Sequence, residues 1–362
     1  MSKPRVAVVF GGRNSEHAVS LMGAGSVLQA IDQSKYEVIP IGIAQDGRWV
    51  LASENQRFAI ESGQLPVVQD TGAELALPSG SLVALKPGAI PRELGAVDVV
   101  FPVMHGPFAE DGTIQGLLEM AGVRYVGSGV LASAVGMDKA FMKLTMGAAG
   151  LPVGRYVVVR ERDWRLERDR VLKEAEELGW PVFVKPARAG SSRGISKAHD
   201  RASLEAAVEL AREHDPKVLI EAAIEGREIE CAVLESPGDE PPLASQPGEV
   251  IVEGGQEFFD FEAKYYPDQM SLRVPADLPA KVSEELRSMA VRAFETLGCE
   301  GLARVDFFYT PEGKLIFNEI NTMPGFTSLS VAPQLLAASG IGYPELVDHL
   351  IQLALHRPAG LR

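Results

Sequence analysis

Residues Gly301 to Ser330 read GLARVDFFYTPEGKLIFNEINTMPGFTSLS, two alternating runs joined by Pro-Glu-Gly, a pattern that specifies a β-hairpin. With Glu312 and Gly313 as a two-residue loop, Asp306 falls opposite Glu319 and Arg304 opposite Asn321. Period-2 alternation places all four on one face. The other face carries Ala303, Val305, Phe307, Ile316 and Ile320 and is expected to pack on a core. Two directly opposed carboxylates repel, so a cation between them is expected. Oxygen-only donors (Asp, Glu, Asn) suit Mg2+ rather than zinc. The alternative is a solvated polar face with an Arg–Asp contact, and a loop one residue longer would change the register.

The chain has 362 residues, enough for two or three domains that each bury a core. Its 35 basic against 49 acidic residues give a net charge of −14, which argues against nucleic acid or an anionic membrane as partner. Cys231 and Cys299 are its two cysteines, so neither a disulfide framework nor a cysteine metal motif is expected. A reducing, cytoplasmic setting follows. MSKPRVAVVFGG leads straight into a strand and a glycine turn, without the pattern of a signal peptide or a membrane span.

In chain order, Arg5 to Phe10 and Tyr36 to Ile43 read as strands around a helix through Leu21 to Ile31, with Asn14 or Ser15 as its cap. This β-α-β opening places functional groups at the carboxyl ends of its strands. GGRNSEH lacks the dinucleotide fingerprint G-x-G-x-x-G. Arg48 to Gly95 shows no periodicity that assigns elements. Val97 to Met104 is a further buried strand, followed by His105 and Glu110 and by a helix from Thr113 that Asp111 could cap. His105 is either a core histidine or a functional one; its place at a strand's carboxyl end favours function.

A second unit begins near Asp138, with helices at Lys139 to Ala149 and Leu166 to Leu178 and strands at Arg155 to Val159 and Val218 to Ile224. Between them PVFVKPARAGSSRGISKAH reads as two strands flanking a Gly/Ser loop, and Asp200 caps a helix to Arg212. REIECAVLE is an alternating strand. The long segment after it, ending EFFDFEAKYYPDQ, has the character of an active-site lid. Amphipathic helices are expected at Ala280 to Leu297 and Tyr343 to His356.

In Ala189-Gly190-Ser191-Ser192-Arg193-Gly194, glycines admit backbone N–H groups to an anion, serines add donors, and Lys185 and Lys197 flank the loop. It is not a Walker A sequence, and a plain hairpin tip is its alternative. Joined with the two strand carboxylates, an amide and an arginine, it describes a nucleoside-triphosphate site that drives substrate activation.

These motifs, with GGRNSEHAVS, HGPFAEDGTIQG, MDK, KPARAGSSRGISK, EFFDFEAKYY, ARVDFF and FNEINTMPGFTSLS in this order, make the chain resemble the D-alanine–D-alanine ligases of the ATP-grasp superfamily over nearly its whole length. The resemblance implies an α/β chain, α+β in the ATP-binding part: an ATP-grasp fold behind an N-terminal parallel-sheet domain. Its segments would be 1–137 (substrate binding), 138–224 (central ATP binding) and 225–362 (metal hairpin and lid). It also implies ATP-driven joining of two D-alanines through an acyl phosphate, for peptidoglycan. Two Mg2+ ions, for which Mn2+ can substitute, and a homodimer are implied as well.

By the same resemblance, Glu16 binds the first D-alanine's ammonium, with His105 nearby, and Ser191 orients Glu16 and Tyr265. Lys139 and Lys185, with Ser191 and Ser192, hold phosphates. Glu221, Ala222, Ile224 and Glu228 hold adenine and ribose, Phe258 closes over the base, and Asn318 and Glu319 complete the ATP site. Asp306, Glu319 and Asn321 are the metal ligands, and Arg304 with the Gly325 N–H stabilises the oxyanion. Lys264, Tyr265, Ser330 and the Leu329 backbone meet the second D-alanine; a tyrosine at 265 marks dipeptide rather than D-lactate ester formation. Asn14, Ala18 and Met323 depart from the family's common residues.

Overall fold

The computed structural model describes residues 2–53, 55–69, 73–86, 88–190, 193–252, 270–358 and 360. Ser191, Ser192, Phe258, Lys264 and Tyr265 lie outside them. Three sheets follow one another along the chain. The first has eight strands. Its parallel half orders Glu37–Ile43, Arg5–Gly11, Val99–Val103 and Arg124–Tyr125, and the apolar runs of the two central strands, Arg5–Gly11 and Val99–Val103, are buried on both sides. The stretch without readable periodicity supplies Trp49–Leu51, Glu74–Ala76, Ser81–Leu85 and Arg92–Ala96, which extend that sheet antiparallel.

The second sheet is antiparallel, ordered Ser196–Ala198, Val182–Pro186, Val218–Ala222 and Tyr156–Val159. Val182, Val184, Val218 and Ile220 turn to a core shared with Trp164, Leu172, Leu204 and Val208. Alternation then leaves Phe183, Lys185 and Glu221 on the opposite face. The expected helix Leu166 to Leu178 is instead two, Glu161–Leu166 and Arg168–Glu176, broken at Glu167. Arg201–Arg212 is capped by Asp200 in a reciprocal box with Ser203, as the sequence indicated. Helix His17–Ala30 has no side-chain cap hydrogen bond at Glu16; Asn14 Oδ1 accepts from the Glu16 N–H one residue before the helix.

The third sheet runs Met270–Arg273, Gly248–Val252, Arg227–Leu234, Leu302–Tyr309 and Leu315–Asn321, with Leu243–Ala244 beside Arg227–Leu234. Helix Ala280–Leu297 covers its core face. Helix Val331–Ala338 packs on strand Arg227–Leu234 and helix Tyr343–His356 on Val99–Val103 of the first sheet, and Leu335, Leu350 and Ile351 join Val6, Val8, Phe101, Ala232 and Leu234 in one core.

The hairpin of Leu302–Tyr309 and Leu315–Asn321 differs from the expected one in its turn. The turn is three residues, Pro311 to Gly313, since Thr310 N–H donates to the Lys314 carbonyl, and Tyr309 pairs with Leu315. That register would move Asp306 off Glu319. A β-bulge between Asp306 and Phe307 inserts Asn318 as an unpaired residue and restores Asp306 opposite Glu319 and Arg304 opposite Asn321. The cost falls on the core face: Leu315 and Phe317 occupy it, not Ile316. Without the bulge Asn318 would oppose Asp306 and Glu319 would oppose Val305 on the core face, where an unpaired carboxylate is unfavourable.

Candidate active site

Every described residue expected at the site lines one cleft of about 1150 Å³ between the three sheets. Strand alternation builds its floor. Glu228 and Glu230 lie on the same face as Arg304, Asp306 and Phe308, because Glu230 pairs with Asp306 and Glu228 with Phe308. Arg304 forks onto Asp306 with bonds of 2.8 and 2.7 Å, and Glu230 stands 3.0 Å from its Nε. The Arg–Asp contact of the alternative reading is therefore present, but buried in the cleft rather than solvated. Asn321 Nδ2 donates to Asp306 at 3.2 Å. Asp306, Glu319 and the Asn321 carbonyl offer hard oxygen donors on one face, a set that fits Mg2+. Among the described residues no three His, Cys, Asp or Glu side chains form a metal cluster.

The wall opposite carries the lysines. Lys139 begins helix Lys139–Ala148, whose N-cap Asp138 accepts from Ala140 and Phe141 N–H. Its ammonium donates to the Ala189 carbonyl at 3.0 Å and lies 3.9 Å from Glu319. Glu221 is buried between two ammonium groups, Lys143 at 2.8 Å and Lys185 at 2.6 Å. Burial alone would raise the Glu221 pKa, but the charges of Lys143 and Lys185 overcome it and bring it down to about 2. Burial opposes the charge on Lys185, and Glu221 outweighs it and lifts the pKa above the usual value.

The depressed Glu221 value makes a stability prediction. Its contribution is complete above the ordinary 4.5 and is lost as pH falls towards 2. An acid titration of unfolding free energy is expected to lose about 3 kcal/mol through this group. Glu221→Gln should flatten that limb; an unchanged limb would remove Glu221 as its source.

At the far end, Glu16 is buried against two glycines: a Cβ on Gly106 would collide with its Oε2, and one on Gly190 would sit 3.2 Å from it. Asn14 Nδ2 donates at 2.6 Å to the His105 and Pro107 carbonyls, tying the Glu16 turn to the His105 loop. Burial pushes the His105 pKa down, but the bond to Glu110, that group's charge and then the charge of Glu16 hold it above the ordinary value. The departure at Met323 costs nothing here, since its carbonyl, 3.3 Å from His105 Nδ1, is the group used. Ser330 Oγ accepts from Thr327 N–H at 3.0 Å, and Gly325 approaches it so closely that a Cβ would lie 3.2 Å away. Gln334 donates to the Leu329 carbonyl, while the Leu329 side chain is exposed.

Two charged cleft residues, Glu230 and Lys143, escaped the sequence reading. Glu230 was signalled by the alternation of REIEC, which sets it beside Glu228. Lys143 was signalled by its spacing of four from Lys139 on one helix.

Residues 5–128 match the family model for the D-ala D-ala ligase N-terminus, and residues 145–352 that for the D-ala D-ala ligase C-terminus. The chain belongs to the D-alanine–D-alanine ligase family. It is 57% identical over 368 residues to the D-alanine–D-alanine ligase of Arthrobacter sp. (strain FB24), covering 100% of this chain and 96% of that one. The Streptomyces coelicolor enzyme of that name is 53% identical over 372 residues, covering 99% and 95%. Among solved structures, the VanG D-Ala:D-Ser ligase from Enterococcus faecalis superposes with a TM-score of 0.83 at 35% identity, covering 98% of this chain and 100% of that one. The D-alanine–D-alanine ligase from Coxiella burnetii gives 0.80 at 33%, covering 98% and 94%. Ligases of this ATP-grasp family use ATP and Mg2+. No helix among the described residues of this ligase is long and apolar enough to cross a membrane.

Proposed function

We propose that the cleft joins two D-alanines, with ATP lying from Glu221 to the metal hairpin and the amino acids at the Glu16 end. The chain is an ATP-dependent D-alanine–D-alanine ligase serving peptidoglycan synthesis. The observation that carries the site assignment is the single face holding Arg304, Asp306, Glu319 and Asn321 opposite Lys139 and Lys185. A binding module has no use for a buried arginine aimed at a reaction centre.

In this reading Glu16 takes the first D-alanine's ammonium. The carboxylate of that D-alanine accepts ATP's terminal phosphoryl group and ADP is released, which turns a poor leaving oxide into a good one. Lys139 and Lys185 hold the phosphates. The amine of the second D-alanine, whose carboxylate meets Ser330, attacks the acyl phosphate. Arg304 and the Gly325 N–H stabilise the oxyanion, and phosphate leaves. Asp306, Glu319 and Asn321 would hold Mg2+, which offsets charge on the phosphates when bound. Two such ions, Mn2+ in their place and a homodimer belong to the same proposal, as do roles for Ser191, Ser192, Phe258, Lys264 and Tyr265.

The D-Ala:D-Ser ligase match raises a second reading for the acceptor. The higher identity to D-alanine–D-alanine ligases, 57% against 35%, favours D-alanine. Phosphate release measured with D-alanine, D-serine, D-lactate and L-alanine is the test. Release is expected to need ATP, Mg2+ and D-alanine together. Preference for D-serine or D-lactate as acceptor would overturn the assignment.

A further inference from the structure

Lys143 is a buried cleft residue that the proposed reaction leaves without a role. One helical turn beyond Lys139, it leaves the same face of Lys139–Ala148. Its ammonium stands 2.8 Å from Glu221 and donates to the main-chain carbonyl of Asn318 at 3.4 Å. Glu221 belongs to the four-stranded sheet, and Asn318 is the bulge residue beside Glu319. One charge thus ties the nucleotide end of the cleft to the strand that displays the metal donors. Burying an ammonium is costly unless its protons find acceptors, so a lysine here is held by a specific arrangement of partners.

Glu221 has two counter-charges, but Lys185 is also the residue suited to a phosphate. When Lys185 turns towards phosphate, Lys143 is the cation that stays with Glu221. Each carboxylate oxygen keeps a second lone pair, so a Glu221 held by Lys143 remains an acceptor-only group facing the cleft. A purine with an exocyclic amine can donate to it. A purine with a keto oxygen there would set lone pairs against lone pairs, and an unpaired buried polar contact is disfavoured.

We propose that Lys143 is a positioning residue for nucleotide recognition: it fixes ionised Glu221 relative to the bulge, and through it selects an amino-purine nucleotide. The proposal rests on the reading of the cleft as an ATP site.

The test is Lys143→Met in the full chain, with ATP and GTP binding followed by calorimetry and steady-state kinetics alongside. The ATP dissociation constant and KM are expected to rise about tenfold, with the advantage of ATP over GTP falling by a similar factor. The kcat should stay within about threefold, because the residue touches no reacting atom. A folded variant with unchanged ATP affinity and selectivity overturns the proposal. So does a loss of thermal stability alone, which would make Lys143 a structural ion-pair partner. A wild-type protein that binds no ATP would instead overturn the nucleotide reading, and the two failures are thereby separate. Should Lys143→Met fail to fold, Lys143→Gln and the double variant Lys143→Met with Glu221→Gln carry the test. The double variant is expected to be no less selective than Glu221→Gln alone, and additive losses would overturn the coupling.

Discussion

Glu319→Gln is expected to lower D-alanine-dependent phosphate release by about 10²–10³-fold at limiting Mg2+, with the Mg2+ requirement displaced to higher concentration. The substitution keeps the shape of the side chain and removes one negative charge from the donor set. Its effect on folding should run the other way. Glu319 lies directly opposite Asp306 in the ladder, and like charges so placed destabilise a sheet. Neutralising one of them is expected to leave the unfolding midpoint unchanged or slightly raised. Activity and stability moving in opposite directions is the signature of a group kept for chemistry. Wild-type kinetics across an Mg2+ titration would remove Glu319 from the metal site.

Phe317→Ala should have the largest effect on stability, about 3–5 kcal/mol for emptying a fully buried aromatic position. Phe317 meets Phe307 edge-on with centroids 6.0 Å apart, and its N–H donates to the Pro152 carbonyl at 2.8 Å. It therefore fastens the hairpin both to its own core and to the segment that leads out of helix Lys139–Ala148. Denaturant unfolding, with amide exchange of Val305 and Phe307 as the local reporter, measures the loss. A cost below about 1 kcal/mol would mean that the core refills the space by shifting neighbours.

The hairpin also shows how far the sequence could be read. Asp306 does oppose Glu319, yet the two-residue turn behind that expectation is wrong; the longer turn and the bulge cancel. Alternation could not reveal this, because the bulge answers the need to keep Glu319 out of the core rather than local propensity. Ile316 was misplaced for the same reason. By contrast, Ala280–Leu297 and Tyr343–His356 were legible to the residue, since several turns of one apolar face leave little freedom. The strands within Arg48 to Gly95 were not. They are three to five residues long and take their structure from pairing with one another and with Glu37–Ile43. An apolar face also does not name its partner, so the docking of Val331–Ala338 on the third sheet and of Tyr343–His356 on the first could not be read.

For the site, motif order brought Glu16, His105, Lys139, Lys185, Glu221 and the hairpin residues to one cleft, and the geometry agrees. What the motifs did not show is which residues hold others in place. Asn14 spans two loops, Glu230 shares Arg304 with Asp306, and Lys143 joins two sheets. Their partners lie far away in sequence, so spacing alone offers no trace of what they touch.

The extra residue at Asn318 has one more consequence. A regular strand presents one side chain per face for every two residues, roughly 7 Å apart, which is sparse for gathering several oxygen atoms around a small ion. Because the bulge breaks alternation, the neighbours Asn318 and Glu319 both line the cleft, with Asn321 following. Loops ordinarily supply such crowding, at the expense of rigidity. Here a hydrogen-bonded sheet achieves a loop's density of donor groups while its other face stays bolted to the core.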